Sequence, residues 1–368
     1  MTTATQLLRT PFHSFHLQHK AKMVDFAGWE MPLSYGSIIE EHRHCRASAG
    51  FFDVSHMGRL RFTGRHARRF LDTVCTRQVL GMEPGQCRYG IVCNERGGCL
   101  DDIIVYCMDE SDFLVVCNAS NRAKLLAHFA AVKGDMVFKL DDQTESTAMC
   151  ALQGPKAMDL IAGMSREIPN LKRYRFTQKN LIVVKLIVSR TGYTGEDGVE
   201  VILGAGTAQL AMGMFLKNAG QADSVVKPIG LGARDTLRME AGMPLYGHEI
   251  DEDTDPISAG LGFAVKLDKG QDDERAGRFI GQDALQRIAA AVQEREASAE
   301  RSGSIPDDAV SWVGWGNGGA RAGWGNGGFR NGGFRNGGFR NGGWGNGGFR
   351  NGGGWGNGGG GWRNFRNW

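Results

Sequence analysis

Asp102-Ile103-Ile104-Val105-Tyr106-Cys107-Met108, then Asp109-Glu110-Ser111-Asp112, then Phe113-Leu114-Val115-Val116-Cys117-Asn118: two β-rich runs are joined by four polar residues. This is a strong hairpin signal, because β-branched and aromatic residues favour a pleated, half-buried surface and the polar insert favours a turn. A helix is predicted next. Asn121 can cap its start, Leu125, Leu126, Phe129 and Val132 fall on one face, and Gly134 can stop it. Further along, Leu181–Ser189 and Val199–Leu203 read as strands around a turn-rich stretch from Arg190 to Gly198, and Thr207–Ala219 as a second amphipathic helix ended by Gly220. Strands and helices interleave through tight loops without a regular βαβ rhythm. The first 285 residues are therefore expected to be α+β and not a doubly wound sheet.

Composition separates this part from the rest. The chain has 368 residues, of which 41% are hydrophobic and 23% charged, ordinary values for a globular protein, but 55 are glycine. From Ala320 to Trp368 there are seven arginines and no acid, so the whole-chain charge of +3 leaves about −4 on the remainder. The basic balance belongs to the tail. Residues 286–300, rich in Ala, Glu, Gln and Arg, are expected to be helical, and the segment 286–311 runs from that helix into a Ser/Gly/Pro/Asp linker. Residues 312–368 repeat an aromatic-X-Asn unit spaced by glycines, from Trp315-Gly316-Asn317 to Phe365-Arg366-Asn367. Such a sequence supplies no core and costs the most backbone entropy to order, so disorder is expected.

Eight cysteines (45, 75, 87, 93, 99, 107, 117 and 150) show neither a CxxC pair nor zinc spacing, which points to structural thiols, a reduced, cytoplasmic setting and no metal. There is no apolar run of membrane-spanning length and no secretory signal core. Residues 1–24 lack acids, as a mitochondrial presequence does, but the motifs begin too early to leave room for one.

No motif announces a nucleophile: GxSxG, Walker and HExxH patterns are missing. What stands out is polar residues set among apolar or glycine-rich ones. Asp101 and Asp102 directly precede the strand residues Ile103-Ile104-Val105-Tyr106, and of two adjacent acids entering a strand alternation turns one inward. Pattern alone favours the plainer alternative, a turn followed by a solvated acid. Asn118, ending the paired strand, is expected at the same end of the hairpin as Asp102, an amide beside an acid. Arg190-Thr191-Gly192-Tyr193-Thr194-Gly195-Glu196-Asp197-Gly198 is a tight polar loop in which Gly192 and Gly195 permit unusual backbone conformations. Glu200 lies between Val199 and Val201, on the opposite strand face, where a solvent-facing glutamate would fit equally well. Gly230-Leu231-Gly232-Ala233-Arg234-Asp235 precedes a helix. Glycines with an arginine suit recognition of a flat ring or a carboxylate, and an Arg–Asp structural pair suits the pattern as well. His56 reads as a packed histidine, and His42 and His44 as surface residues.

Eight stretches, in order and spacing, resemble the T-protein (aminomethyltransferase) family of the glycine cleavage system. They are Met23–Pro32, Phe52–Gly58, Asp101-Asp102, Gln153-Gly154-Pro155, Arg190–Gly198, Gly230–Asp235, Leu245–Glu252 and Phe279-Ile280-Gly281. The resemblance spans about residues 7–285. It implies a folate-binding fold of two intertwined α/β domains within residues 1–285, with the folate in a central channel. It also implies transfer of the one-carbon unit from the aminomethyl-lipoyl arm of an H-protein to tetrahydrofolate, with release of ammonia. By the same resemblance Asp102 is the catalytic residue at the reacting amine, and Glu200 and Arg234 hold the pterin. Asn118, Tyr193 and Tyr89 line the channel. Related folate proteins of iron–sulfur maintenance carry a Lys-Gly-Cys-Tyr-type signature, which is missing here.

The family's C-terminal β-barrel is expected to begin near residue 290, and the sequence there reads as absent barrel. A channel without that wall would admit water and lose binding area. The alternative function is a non-catalytic folate-binding scaffold presenting the repeat tail. The tail resembles glycine-rich precursor peptides modified by radical-SAM enzymes. That reading stands level with a frameshift or fusion, and weak nucleic-acid binding ranks behind both.

Overall fold

The computed structural model describes residues 6–181, 184–216, 223–271 and 277–302. The repeat at 312–368, the linker from 303 and the expected end of the second helix at 217–220 lie outside the described residues. The chain divides into two compact units with interleaved segments. One comprises 1–68, 82–88 and 103–243, the other 69–81, 89–102 and 244–368.

The order of elements opens with β1 (Leu8–Arg9), α1 (His13–Gln18), β2 (Lys22–Phe26), β3 (Trp29–Ser34), α2 (Ile38–Ala47), β4 (Ala49–Asp53) and β5 (Gly58–Thr63). Next come α3 (Ala67–Val74), β6 (Cys87–Cys93), β7 (Cys99–Asp109), β8 (Asp112–Cys117), α4 (Arg122–Val132), β9 (Lys139–Asp142) and β10 (Thr147–Gln153). It closes with α5 (Ala157–Ala162), β11 (Phe176–Leu181), β12 (Val184–Ser189), β13 (Gly198–Gly204), α6 (Ala208–Phe215), β14 (Val226–Pro228), α7 (Leu231–Glu240) and α8 (Gln282–Ser302).

The predicted hairpin is β7–β8, antiparallel with Ile104 opposite Val116, and continues through β5 to β9. Two expectations change here. Asp101 and Asp102 lie inside β7 and do not precede it, and Asn118 stands one residue beyond β8. The predicted helix is α4, with Leu125 and Phe129 buried. Asn121 is buried and occupies its N-cap without a side-chain capping bond. Gly134 follows with φ +53°.

A six-stranded sheet of order β11-β12-β13-β10-β4-β14 carries the centre of the first unit. The run Leu181–Ser189 is not one strand: Leu181 ends β11, which folds back antiparallel on β12. On β13 the alternation holds. Val199, Val201 and Leu203 enter one core with Phe12, Phe51 and Ile161, whereas Ile202 enters the opposite core with Phe52, Tyr106 and Leu237. The second predicted helix is the shorter α6, preceded by a 3-10 turn at Ala205–Thr207. Arg234 and Asp235 lie inside α7, which starts at Leu231, so they too are helical residues and not a preceding loop. Gly230 and Gly232 serve packing, not ligand approach. A Cβ on Gly230 would sit 2.3 Å from the Leu33 carbonyl oxygen, and one on Gly232 2.5 Å from Ile38 Cδ1.

Two buried charge systems fasten the first unit. His16 and Asp53, with fully buried side chains, pair at 2.8 Å, and Tyr35 bonds the other ring nitrogen at 2.7 Å. Arg59, also fully buried, donates to the Ser55 carbonyl at 3.0 Å and to the Met57, Thr144 and Thr147 carbonyls, clasping the turn after β4.

In the second unit, Ile91, Cys93, Cys99, Ile250, Leu261, Phe279 and Leu285 form a core under the start of α8. The helix expected at 286–300 begins four residues earlier, where Gln282 donates to the Lys269 and Leu267 carbonyls at 2.8 and 3.0 Å. Lys269 is wholly buried. Its ammonium donates to the Cys75 and Arg77 carbonyls at 2.9 and 3.2 Å and to that of Asp72, and it lies 3.3 Å from the Asp72 carboxylate.

All eight cysteines are buried free thiols. Burial pushes the Cys45 thiol up to about 12, which removes the thiolate that nucleophilic or redox chemistry needs. Among the described residues no group of three His, Cys, Asp or Glu side chains is arranged to hold a metal, and no helix is long and apolar enough to cross a membrane.

Candidate functional site

Glu200 sits at the middle of β13, opposite Ala151 of β10 and Ser189 of β12. Its neighbours Val199 and Val201 face the other core, which turns the carboxylate inward. It is 9% exposed, so the solvent-facing alternative is excluded. Thr191 Oγ1 donates to Glu200 Oε2 at 2.5 Å. Burial raises the Glu200 carboxyl above the usual carboxylate range, while the Thr191 hydrogen bond and the charge of Arg234 oppose that rise. A buried carboxylate held by one hydroxyl and a nearby guanidinium is a strong acceptor in a poorly solvated place.

The loop from Arg190 to Gly198 fixes this arrangement. The Arg190 guanidinium grips both Asp197 oxygens, at 2.6 and 2.8 Å. Gln153, from β10, donates to the Thr191 carbonyl at 3.1 Å and accepts from Thr194 Oγ1 at 3.0 Å. Of the two loop glycines singled out in the sequence, only Gly195 needs conformational freedom, with φ +80°. Gly192 is glycine for room: a Cβ there would lie 2.0 Å from Gln153 Oε1.

Tyr193 leaves this loop to pack under Arg234, whose guanidinium carbon is 4.4 Å from the ring centroid. A guanidinium over an aromatic face is held flat and partly desolvated, ready to present N–H donors in one plane. Asp235, beside Arg234 in the chain, accepts from Arg238 Nε at 2.8 Å.

His56 is fully buried, as the sequence suggested. Phe26 meets its ring edge-on at 5.3 Å, and Nδ1 finds no hydrogen-bond partner among the described residues. Burial, reinforced by the charge of Arg234, pushes the imidazole down to about 3, so it is neutral.

Glu200, Tyr193, Arg234 and Asn118 belong to the first unit, Asp102 and Tyr89 to the second. Asn118 stands at the N-cap of the 3-10 turn Ala119–Asn121 without capping it, and its carbonyl accepts from Asn121 N at 3.1 Å. In the second unit, Asp101 is fully buried and Asp102 partly exposed. Alternation along β7 thus sends the first acid inward and leaves the second accessible. The Tyr89 hydroxyl donates to Asp102 Oδ2 at 3.3 Å, and the Tyr89 ring stacks at 6.1 Å on Phe263.

Three participants escaped the reading from sequence: Thr191, Ser189 and Tyr106. Ser189 Oγ is 2.7 Å from Thr191 Oγ1, and the Tyr106 hydroxyl is 3.1 Å from Ser189 Oγ. Part of their signal was present, since Ser189 ends β12 and Thr191 follows two residues later at the entry to the glycine loop.

Known proteins share this framework. Residues 12–269 match the family described as the GCVT N-terminal domain. An aminomethyltransferase of Rubrobacter xylanophilus is 48% identical over 282 residues, 76% of this chain and 72% of the relative. One from Thermus thermophilus is 40% identical over 304 residues, 81% of each chain. The crystal structure of the glycine cleavage system aminomethyltransferase T from Bartonella henselae superposes with a TM-score of 0.69 at 34% identity, over 77% of this chain and 75% of that one. With a family match across most of its length and relatives 40–48% identical, this chain belongs to the aminomethyltransferase family.

Proposed function

We propose that the chain is a tetrahydrofolate-dependent aminomethyltransferase of the glycine cleavage system. It takes the one-carbon unit from the aminomethyl-lipoyl arm of an H-protein to tetrahydrofolate and releases ammonia. The observation that carries this reading, beyond family membership, is the buried Glu200 carboxylate with Arg234 laid over Tyr193. The amino-pyrimidine edge of a pterin presents N–H donors in one plane. An ionised carboxylate, which only accepts, is their complement. Thr191 engages Oε2 of Glu200, and in this reading Oε1 meets the ligand.

Asp102 is the group we assign to the reaction. Forming the methylene bridge breaks the carbon–nitrogen and carbon–sulfur bonds of the aminomethyl-lipoyl arm and makes two carbon–nitrogen bonds on the folate. Each folate nitrogen loses a proton, one taken up by the freed lipoyl sulfur and one by the departing amine. A partly exposed carboxylate can orient the amine, carry that proton and stabilise the positive charge that develops. The Tyr89 hydroxyl, donating to Oδ2, fixes its orientation. Tyr193 supports Arg234, and Asn118 offers an amide to the same ligand. No metal enters this scheme.

The test is turnover. The purified chain, given aminomethyl-loaded H-protein and tetrahydrofolate, is expected to form 5,10-methylenetetrahydrofolate and ammonia in equal amounts, dependent on both substrates. Tetrahydrofolate binding without turnover would replace the enzyme with a folate-binding scaffold. The tail-modifying enzyme suggested by the repeat rests on the repeat alone and forms no part of this proposal.

A further inference from the structure

A carboxylate buried to the extent of Glu200 tends to take up a proton, and a protonated Glu200 would meet the pterin donors with a donor of its own. Something must hold it ionised. The structure offers a chain of three hydroxyls: Tyr106 to Ser189 at 3.1 Å, Ser189 to Thr191 at 2.7 Å, Thr191 to Glu200 at 2.5 Å. Each hydroxyl has one proton to give. If Glu200 is a carboxylate, Thr191 donates to it, so Thr191 must accept from Ser189. The Ser189 proton has one other acceptor, the Glu200 carbonyl, at the longer distance of 3.4 Å. Ser189 then accepts from Tyr106. That phenol is kept protonated, because burial pushes its pKa well above the usual tyrosine value and the charge of Glu200 pushes the same way, against the opposing hydrogen bonds to Ser189 and Thr191. A phenol that cannot ionise is a permanent donor at the head of the chain.

We propose that Tyr106, Ser189 and Thr191 form a one-directional hydroxyl chain that holds Glu200 as an acceptor-only carboxylate, and so act as positioning residues for the binding of tetrahydrofolate. The proposal rests on the reading of Glu200 given above. Aligned hydroxyl dipoles polarise one another and present their positive ends to the carboxylate, strengthening the last bond. The other titratable or charged groups near Glu200 are Arg234, which favours the anion, and the buried thiols Cys87 and Cys150, which are neutral because burial raises both. The chain and Arg234 therefore carry the opposition to burial between them.

The experiment measures tetrahydrofolate affinity of the full chain against pH, anaerobically, by quenching of intrinsic fluorescence. Affinity requires the anion, so it is present above the Glu200 pKa and lost as pH falls through it. Thr191→Val keeps the shape and removes the donor. It is expected to weaken binding roughly tenfold near neutral pH and to move the midpoint of the loss up by about one pH unit. Thr191→Ser restores the donor and should restore both. Tyr106→Phe, which removes only the head of the chain, is expected to shift the midpoint in the same direction by less. Glu200→Gln separates the two ideas. If Glu200→Gln loses binding while Thr191→Val and Tyr106→Phe keep the midpoint of the unmutated chain, the hydroxyl chain is overturned and the Glu200 reading stands. If Glu200→Gln binds tetrahydrofolate as the unmutated chain does, the Glu200 reading falls and the hydroxyl chain with it.

Discussion

Asp102→Ala is expected to lower turnover with aminomethyl-loaded H-protein by about 10²- to 10⁴-fold, the range over which a positioned acid or base acts. The fold should tolerate it. The acid that β7 buries is Asp101; Asp102 is partly exposed, and the hydrogen bond that it accepts from Tyr89 is long, at 3.3 Å. Its removal should therefore change unfolding free energy by less than about 1 kcal/mol. Asp102→Asn refines the test. An amide of equal size still accepts from Tyr89 but carries no charge and takes up no proton. If charge and proton transfer are its contribution, Asn should be nearly as inactive as Ala. If position alone matters, Asn should recover most of the rate. Single-turnover formation of methylenetetrahydrofolate is the measurement, and an Asp102→Ala protein within threefold of the unmutated rate would remove Asp102 from the chemistry.

The second large effect is on stability. His16→Leu removes the partner of a fully buried carboxylate and is expected to cost about 3–5 kcal/mol in urea unfolding, the range for orphaning one member of a buried pair. Replacing both residues with apolar ones should cost less than the single change, since no charge is then left stranded. The pH dependence distinguishes this from a simple packing loss. Burial alone would raise the Asp53 carboxyl. Hydrogen bonds from His16, Thr10 and Ser55, with the His16 charge, hold it below its usual value instead. A carboxyl depressed in the folded state contributes stability above its unfolded pKa of about 3.9, and that contribution is lost as pH falls through the folded value. Without His16 the balance reverses and burial dominates. The deficit of His16→Leu should then be full at neutral pH and shrink as pH falls toward 4, where the stranded carboxyl takes up a proton. A deficit independent of pH would assign the loss to packing.

Much of this protein could be read from local pattern. The hairpin around Asp109–Asp112, the helix with Leu125 and Phe129, and the place of Glu200 on the strand face opposite its two valines all follow from periodicity, which is a property of neighbouring residues; that this face is buried does not. The failures have a common physical origin. The strand expected over Leu181–Ser189 is the meeting of two antiparallel strands, and an apolar run carries no mark of where it reverses. Gly230 and Gly232 suggested a ligand because the backbone they admit, that of Leu33, is nearly 200 residues away in sequence. His16, Asp53, Arg59 and Lys269 are charged or polar letters with nothing nearby to show that they are buried. Their partners lie 37, 85 and 197 residues distant in the chain. For the candidate site, Glu200, Arg234 and Asp102 were reached through the eight ordered motifs, whereas the hydroxyls that serve Glu200 belong to three strands or loops and became visible only with the sheet register.

Lys269 has a use of its own. An amine enclosed by three carbonyls and a carboxylate has no route to a reagent. In a brief pulse of an acylating label, surface lysines should react at once and Lys269 should stay unmodified until the second unit opens. The labelling rate at this one position, read by peptide mass, is thus an internal stopwatch for the opening of that unit, running in a protein that needs no engineered probe.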